Sequence, residues 1–175
     1  LVRTIAEVGP TLPSGEQYSY SDAGSSTLAY LIRVISKMPA EDFIQKRIFD
    51  KLGMKDTSCN SFRDDPRRSR VSCTYRLMSG KFWKYWDNSM KQAVPYFRGS
   101  GGIYSTTKDY AKFLAMWMDE GAASGTRFLK PETVKKALTR SPHTNRGKDG
   151  YGYHWEIFIS ELGAFGHRGF CWQYL

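Results

Sequence analysis

Two stretches near opposite ends of the chain carry side chains suited to acid–base chemistry. Tyr18-Ser19-Tyr20-Ser21-Asp22 lies downstream of a Pro13-Ser14-Gly15 turn and just ahead of a helical pattern. A tyrosine so placed can present its phenol oxygen to a cleft. It works as a base near neutral pH only where positive charge draws its pKa down from about 10. The same local pattern also suits an aromatic ring packed under the helix. His167-Arg168-Gly169, preceded by Gly166 and followed by Phe170-Cys171-Trp172, reads as an edge strand kept small where a ligand approaches the backbone. Backbone N–H groups there could donate to an oxyanion, and the imidazole could supply charge or a hydrogen bond. A surface histidine beside an arginine is the plainer reading of those residues alone.

Ser105-Thr106-Thr107-Lys108 has the S-x-x-K spacing, which at a helix N-terminus stacks an amine over a hydroxyl one turn away. The same residues also make an ordinary helix start, with a hydroxyl cap and Asp109 in the first turn. His143 falls in a polar loop and His154 within a strand-like stretch, and both read as structural. Cys59, Cys73 and Cys171 are widely spaced with no C-x-x-C, which argues against a zinc site and against a disulfide framework.

The elements that must hold these residues follow from composition and period. With 175 residues, 41% of them hydrophobic and 25% charged, the chain can build one domain with a core of its own. No run of about 20 apolar residues is present to span a bilayer as a helix, and no signal-peptide pattern opens at Leu1. Lysine and arginine number 26 against 17 acidic residues, a net charge of +9 that favours acidic partners: nucleic acid, an anionic membrane surface or small carboxylates. Much of the excess lies in Arg63, Arg67, Arg68, Arg70, Arg76, Lys81, Lys84 and Lys91, which also fits a solvated basic loop and hairpin.

Leu28, Leu31, Ile32 and Ile35 mark one face of an amphipathic helix closed by Pro39. A second helix takes Glu41 and Asp42 at its start, Phe43, Ile44, Ile48 and Phe49 as its stripe, and Gly53 as its stop. Val71 to Met78 and Lys81 to Asp87 are expected to form a hairpin around Ser79-Gly80. Gly99 to Gly102 reads as a flexible approach to a third helix, capped by Thr106 or Thr107 and striped by Tyr110, Phe113, Leu114, Trp117 and Met118. A short helix begins at Pro131. Strands are expected over Gly150–Phe158 and Ala164–Leu175, around a turn at Ser160–Gly163. Helices first and strands later point to an α+β class.

Five segments, in order, resemble the β-lactamase-related serine hydrolases, the family of class C β-lactamases, D-alanyl-D-alanine peptidases and related esterases. Pro13-Ser14-Gly15 with Tyr18-Ser19-Tyr20-Ser21-Asp22-Ala23-Gly24 resembles its P-x-G…Y-S-N-x-G stretch. Phe43-Ile44 with Ile48-Phe49-Asp50-Lys51-Leu52-Gly53-Met54-Lys55-Asp56-Thr57 is similar to F…I-F-x-P-L-G-M-x-x-T. Gly101-Gly102-Ile103-Tyr104-Ser105-Thr106-Thr107-Lys108-Asp109 is similar to G-G-x-x-S-T-x-x-D. Tyr151-Gly152-Tyr153-His154-Trp155 and Gly166-His167-Arg168-Gly169 match the closing Y-G-x-x-W and G-H-x-G segments.

The resemblance implies the β-lactamase/transpeptidase-like α+β fold, and acyl-enzyme chemistry on an ester, amide or β-lactam carbonyl of a small molecule or peptide. It implies no metal or organic cofactor. By position Tyr20 matches the proton-shuttling tyrosine, and Asp22 stands where the family usually has the substrate-side asparagine. His167 matches a position held by lysine in class C β-lactamases and by histidine in many peptidase and esterase relatives, which leans the reading towards those. Gly169 would let the strand approach the substrate, and the Phe170 N–H would form half of an oxyanion hole, where one donor is worth about 3–4 kcal/mol.

The family's nucleophilic S-x-x-K precedes the tyrosine segment, and none occurs between Leu1 and Tyr20. Ser105 and Lys108 match a structural turn of the family instead. The expectation is therefore that residues 1–175 form a middle-to-late piece of the domain, truncated at both ends and inactive alone. A non-catalytic module that binds a penicillin- or peptidoglycan-type ligand is the alternative. A single-stranded nucleic-acid binder using Arg67, Arg68 and Arg70 with Tyr75, Phe82, Trp83, Tyr85 and Trp86 is a remote one. Core packing is the ordinary explanation of aromatics alternating in a hairpin, so no nucleic-acid partner is expected.

Overall fold

The computed structural model describes residues 2–10, 12–59, 65–87, 89, 97–141, 149–158 and 163–167. In chain order these form α1 (Val2–Val8), α2 (Asp22–Ser36) and α3 (Ala40–Ile44), then a π-helical turn (Gln45–Phe49) that runs into α4 (Asp50–Leu52). Next come β1 (Ser58–Cys59), a 3-10 turn (Pro66–Arg70), the strands β2 (Thr74–Met78), β3 (Lys81–Trp86) and β4 (Ile103–Tyr104), and α5 (Thr107–Met118). The last elements are β5 (Ala122–Ala123), β6 (Thr126–Arg127), α6 (Pro131–Ala137), β7 (Gly150–Tyr151), β8 (Glu156–Phe158) and β9 (Ala164–Gly166). They fall into two compact units, one built from residues 3–21 and from 114 onward, the other from residues 22–113. Among the described residues no helix is long and apolar enough to cross a membrane.

In the second unit the apolar stripe that starts at Phe43 makes the core. Phe49, Met54 and Cys59 are buried together, and Ile44, Ile48, Leu52, Phe97 and Phe113 pack around them. Gly53 ends the helical run at φ 62, a left-handed conformation that glycine adopts without a steric cost. The chain then turns back, and the Met54 N–H donates to the Phe49 carbonyl at 2.8 Å. β1 pairs antiparallel with β4, Ser58 opposite Tyr104 and Cys59 opposite Ile103. Burial pushes the Cys59 thiol up to about 12, with the Glu41 and Asp42 carboxylates adding to the effect.

Two expected apolar stripes are only partly buried. On α2, Leu28, Leu31 and Ile35 are exposed, and the buried residue is Ser26. Glycine backbone packs closely on the helix at Ser25 and Ser26, where a side chain at Gly99 would overlap the Ser25 carbonyl oxygen. On α5, Tyr110 and Met118 are exposed, whereas Met116 and Asp109 are buried. Gly99 to Gly102 is a defined turn rather than a loose approach, with the Gly101 N–H on the Arg98 carbonyl at 3.2 Å.

The hairpin forms as expected, closed by Ser79 and Gly80 at φ 50 and 74. Its aromatics, however, do not form a core: Tyr75, Phe82 and Trp83 are all exposed. Two strands alone have no second layer on which to bury a face. Part of the nearby basic run is paired internally. Arg67 forks onto Asp65 at 2.6 Å and donates to the Lys55 and Thr57 carbonyls, while Arg70 pairs with Asp56.

In the first unit, Pro131 opens α6 and Val134 and Ala137 bury its inner side. β7, β8 and β9 form an antiparallel sheet in that order, with Tyr151 opposite Glu156 and Glu156 opposite Gly166. The expected single strand over Gly150–Phe158 is two strands joined by a bend, and His154 lies in that bend, exposed, at φ 60. Trp155 is buried and meets both Trp117 and Phe165 edge-on, at ring-centroid distances of 5.2 and 5.1 Å.

Candidate active site

Tyr20 and His167 come together within the first unit. Their ring centroids lie 6.2 Å apart, and both side chains are exposed. Two further tyrosines back them. The Tyr151 ring stands edge-on to His167 at 5.9 Å, and Tyr18 lies 4.9 Å from Tyr151. Sequence reasoning placed Tyr151 in a family segment but gave it no part in this cluster. The signal that could have found it is the repetition of phenols, Tyr18 and Tyr20 at one end and Tyr151 at the other.

Local structure explains how these residues are held. β9 ends at Gly166, opposite Glu156, and delivers His167 at the end of a three-stranded sheet. Tyr151 is tied by its backbone, its carbonyl accepting the Ser141 N–H at 2.9 Å. The next residue must be glycine, because a side chain at Gly152 would overlap the Ala137 carbonyl oxygen at the end of α6. The Tyr153 N–H then donates to that same oxygen at 2.8 Å. Burial raises the Tyr151 phenol well above its ordinary range, with Tyr18, Tyr20 and Glu156 nearby adding to the shift. Tyr151 is therefore a neutral hydroxyl, beside the exposed side chains of Tyr20 and His167.

Asp22 opens α2 in the second unit. Arg168, Gly169, Phe170 and His143 lie outside the described residues.

Ser105 has a different setting. Its hydroxyl bonds that of the fully buried Thr57 at 2.8 Å, and Thr57 donates to the Asp109 carboxylate at 3.1 Å. The Asp56 N–H reaches the same carboxylate oxygen at 2.7 Å, and the Lys112 ammonium takes the other at 2.8 Å while also bonding the Gly53 carbonyl. Thr106 caps α5 by accepting the Asp109 N–H at 3.3 Å. Burial alone would raise the Asp109 carboxyl, but Lys112, the Asp56 N–H and the Thr57 hydroxyl together hold it below the usual carboxylate range. Here the S-x-x-K spacing belongs to a brace between two segments, with Lys108 exposed.

The Beta-lactamase family model matches residues 1–175. Penicillin-binding protein 4 of Amycolatopsis lactamdurans is 25% identical over 179 aligned positions, which take in 96% of this chain and 45% of that protein. The chain spans about a third to about half the length of the curated relatives it matches, from 31% to 45%. Among solved structures, the penicillin binding protein from Bacillus halodurans superposes at a TM-score of 0.71 with 20% identity, over 89% of this chain and 45% of that one. The D-amino acid amidase of Ochrobactrum anthropi superposes at 0.61 with 23% identity, over 79% and 40%. These likenesses show the α+β fold of penicillin-binding proteins and β-lactamases. With the family model spanning every residue, the chain belongs to the β-lactamase family of hydrolases.

Proposed function

We propose that this chain supplies the tyrosine–histidine part of a serine acyl-transfer site acting on an ester, amide or β-lactam carbonyl. The observation that carries the reading is the meeting of Tyr20 and His167, from opposite ends of the sequence, as exposed side chains 6.2 Å apart. In this reading the Tyr20 phenol relays the proton between the nucleophile and the leaving group. His167 supplies a hydrogen bond or positive charge beside it, which favours the phenolate. Gly169 keeps the strand clear for substrate and the Phe170 N–H donates to the oxyanion. Asp22 is the polar partner at the substrate's side. The amidase relative's name makes an amide of a D-amino acid a substrate class to test first.

Residues 1–175 act, in this reading, as the middle-to-late part of a larger domain whose nucleophilic Ser and Lys come before Tyr20. As a separate polypeptide it does not turn over substrate. A second reading, a module that binds such a ligand without chemistry, draws support from Asp22 standing in the place of an asparagine.

Intact mass before and after exposure to a fluorophosphonate or penicillin probe tests the proposal. The isolated 20.0 kDa chain should remain unlabelled. A heavier native product should gain one probe mass on a serine upstream of Tyr20. An adduct on Ser105 overturns the assignment, and a heavier product that binds penicillin without an adduct favours the binding module.

A further inference from the structure

The β2–β3 hairpin exposes large apolar side chains on both of its faces. By the register, Tyr75, Leu77, Phe82 and Lys84 share one face, and Arg76, Met78, Lys81 and Trp83 share the other. Met78 pairs with Lys81 across the turn and Leu77 with Phe82 next to it, so Leu77, Met78, Phe82 and Trp83 surround the tip. They are 63%, 57%, 75% and 59% exposed. Single exposed apolar residues are ordinary, but four grouped at one tip mark an interaction surface.

Charge and geometry together select the partner. Residues 74–86 contain Arg76, Lys81 and Lys84 and no aspartate or glutamate. Lys84 is paired with Asp87 just beyond the strand at 3.4 Å, and Arg76 lies over the Tyr85 ring at 3.9 Å. The positive charge opposes tip-to-tip docking of a second copy and favours an anionic surface. A stacked nucleic-acid strand would cover one face of a two-stranded ribbon. Covering both faces of the tip takes a medium that surrounds it, and Leu77 and Met78 offer nothing for a base to stack on.

We propose that the hairpin tip is an interfacial anchor that inserts Leu77, Met78, Phe82 and Trp83 into the headgroup region of an anionic lipid bilayer. Lys81, beside the turn and opposite Met78, then faces the lipid phosphates. Tryptophan and phenylalanine suit that depth, and lysine stems lie along apolar surface while keeping their ammonium groups in the polar layer. Each basic residue near an anionic surface is worth about fivefold in affinity. Attachment is therefore reversible and weakened by salt, and it is independent of the reading of the Tyr20–His167 site.

Vesicle flotation with the full chain tests it, using phosphatidylcholine with about one-third phosphatidylglycerol against phosphatidylcholine alone. The expected result is binding to the anionic vesicles, at least about tenfold weaker on neutral ones, with tryptophan emission quenched by brominated lipid. The double change Phe82→Ser with Trp83→Ser should reduce binding about tenfold or more, and Lys81→Glu should do the same. These side chains are exposed, so far-UV circular dichroism should not change; Leu77→Asn serves as a second tip variant. Absence of binding to anionic vesicles, undiminished binding by the folded tip variants, or tighter binding to an oligothymidine than to vesicles would each overturn the proposal.

Discussion

Thr57 and Asp109 share a buried hydrogen bond of 3.1 Å across a sequence separation of 52 residues. Each closes a different family segment, so the bond locks the turn after α4 onto the start of α5. The Ser105 hydroxyl, which sequence spacing alone offered as a nucleophile, completes this brace. Replacing Asp109 with asparagine should cost the second unit about 2 kcal/mol, the worth of a hydrogen bond to a charged group. Thr57→Val should cost less, because Asp109 keeps its bonds to Asp56 and Lys112. Urea unfolding of both variants measures the difference.

The same carboxylate makes stability depend on pH. Its pKa is lowered in the folded protein, so it stabilises the folded state above the unfolded aspartate value of about 3.9, and that contribution is lost as pH falls through the lowered folded value. Thermal melts of the native chain should fall steeply below about pH 4, and Asp109→Asn should flatten that limb.

Tyr151 gives the opposite limb. Its folded pKa is raised, so its contribution is complete below the unfolded tyrosine value of about 10 and is lost as pH rises towards the folded value. Tyr151→Phe, which keeps the ring against His167 and Tyr18, should flatten the alkaline loss of stability. Spectrophotometric titration should show one fewer late-ionising phenol.

Gly152→Ala should be far more damaging than its size suggests. The new methyl meets the backbone oxygen of Ala137, which already accepts the Tyr153 N–H. Relief requires β7 and the end of α6 to separate, at about 1–3 kcal/mol. Urea unfolding should register that loss, and near-ultraviolet circular dichroism should report the displaced Trp155.

On the proposed function, Tyr20→Phe in the whole protein should lower kcat/KM on an ester or amide substrate by about 10²–10⁴, the usual worth of a positioned proton donor and acceptor. His167→Gln should lower it less and shift the pH profile. Equal activity of native protein and Tyr20→Phe would remove Tyr20 from the proton path.

Much of this architecture was legible because the signals were local. Gly53, Pro39, Pro131 and Ser79-Gly80 punctuate the chain through backbone geometry that needs no tertiary partner. Burial was less legible. The α2 stripe of Leu28, Leu31 and Ile35 is exposed, while Ser26 is buried and Gly99 packs against Ser25, a contact set by tertiary packing that the helix's own period does not mark. The hairpin aromatics were read as core because alternation says that residues share a face, not that another layer covers it. At the site, Tyr20 and His167 were named from their segments, while Tyr151 needed the sheet register to appear beside them.

The core thiol of Cys59 carries one more consequence. It is sealed behind Phe49 and Met54, pinned opposite Ile103, and held protonated by burial. Alkylating reagents can reach it only when the second unit opens, whereas exposed Cys73 reacts at once. The protein thus contains its own clock. The ratio of the two labelling rates, followed by peptide mapping, gives the free energy of that opening whenever reclosure outruns alkylation.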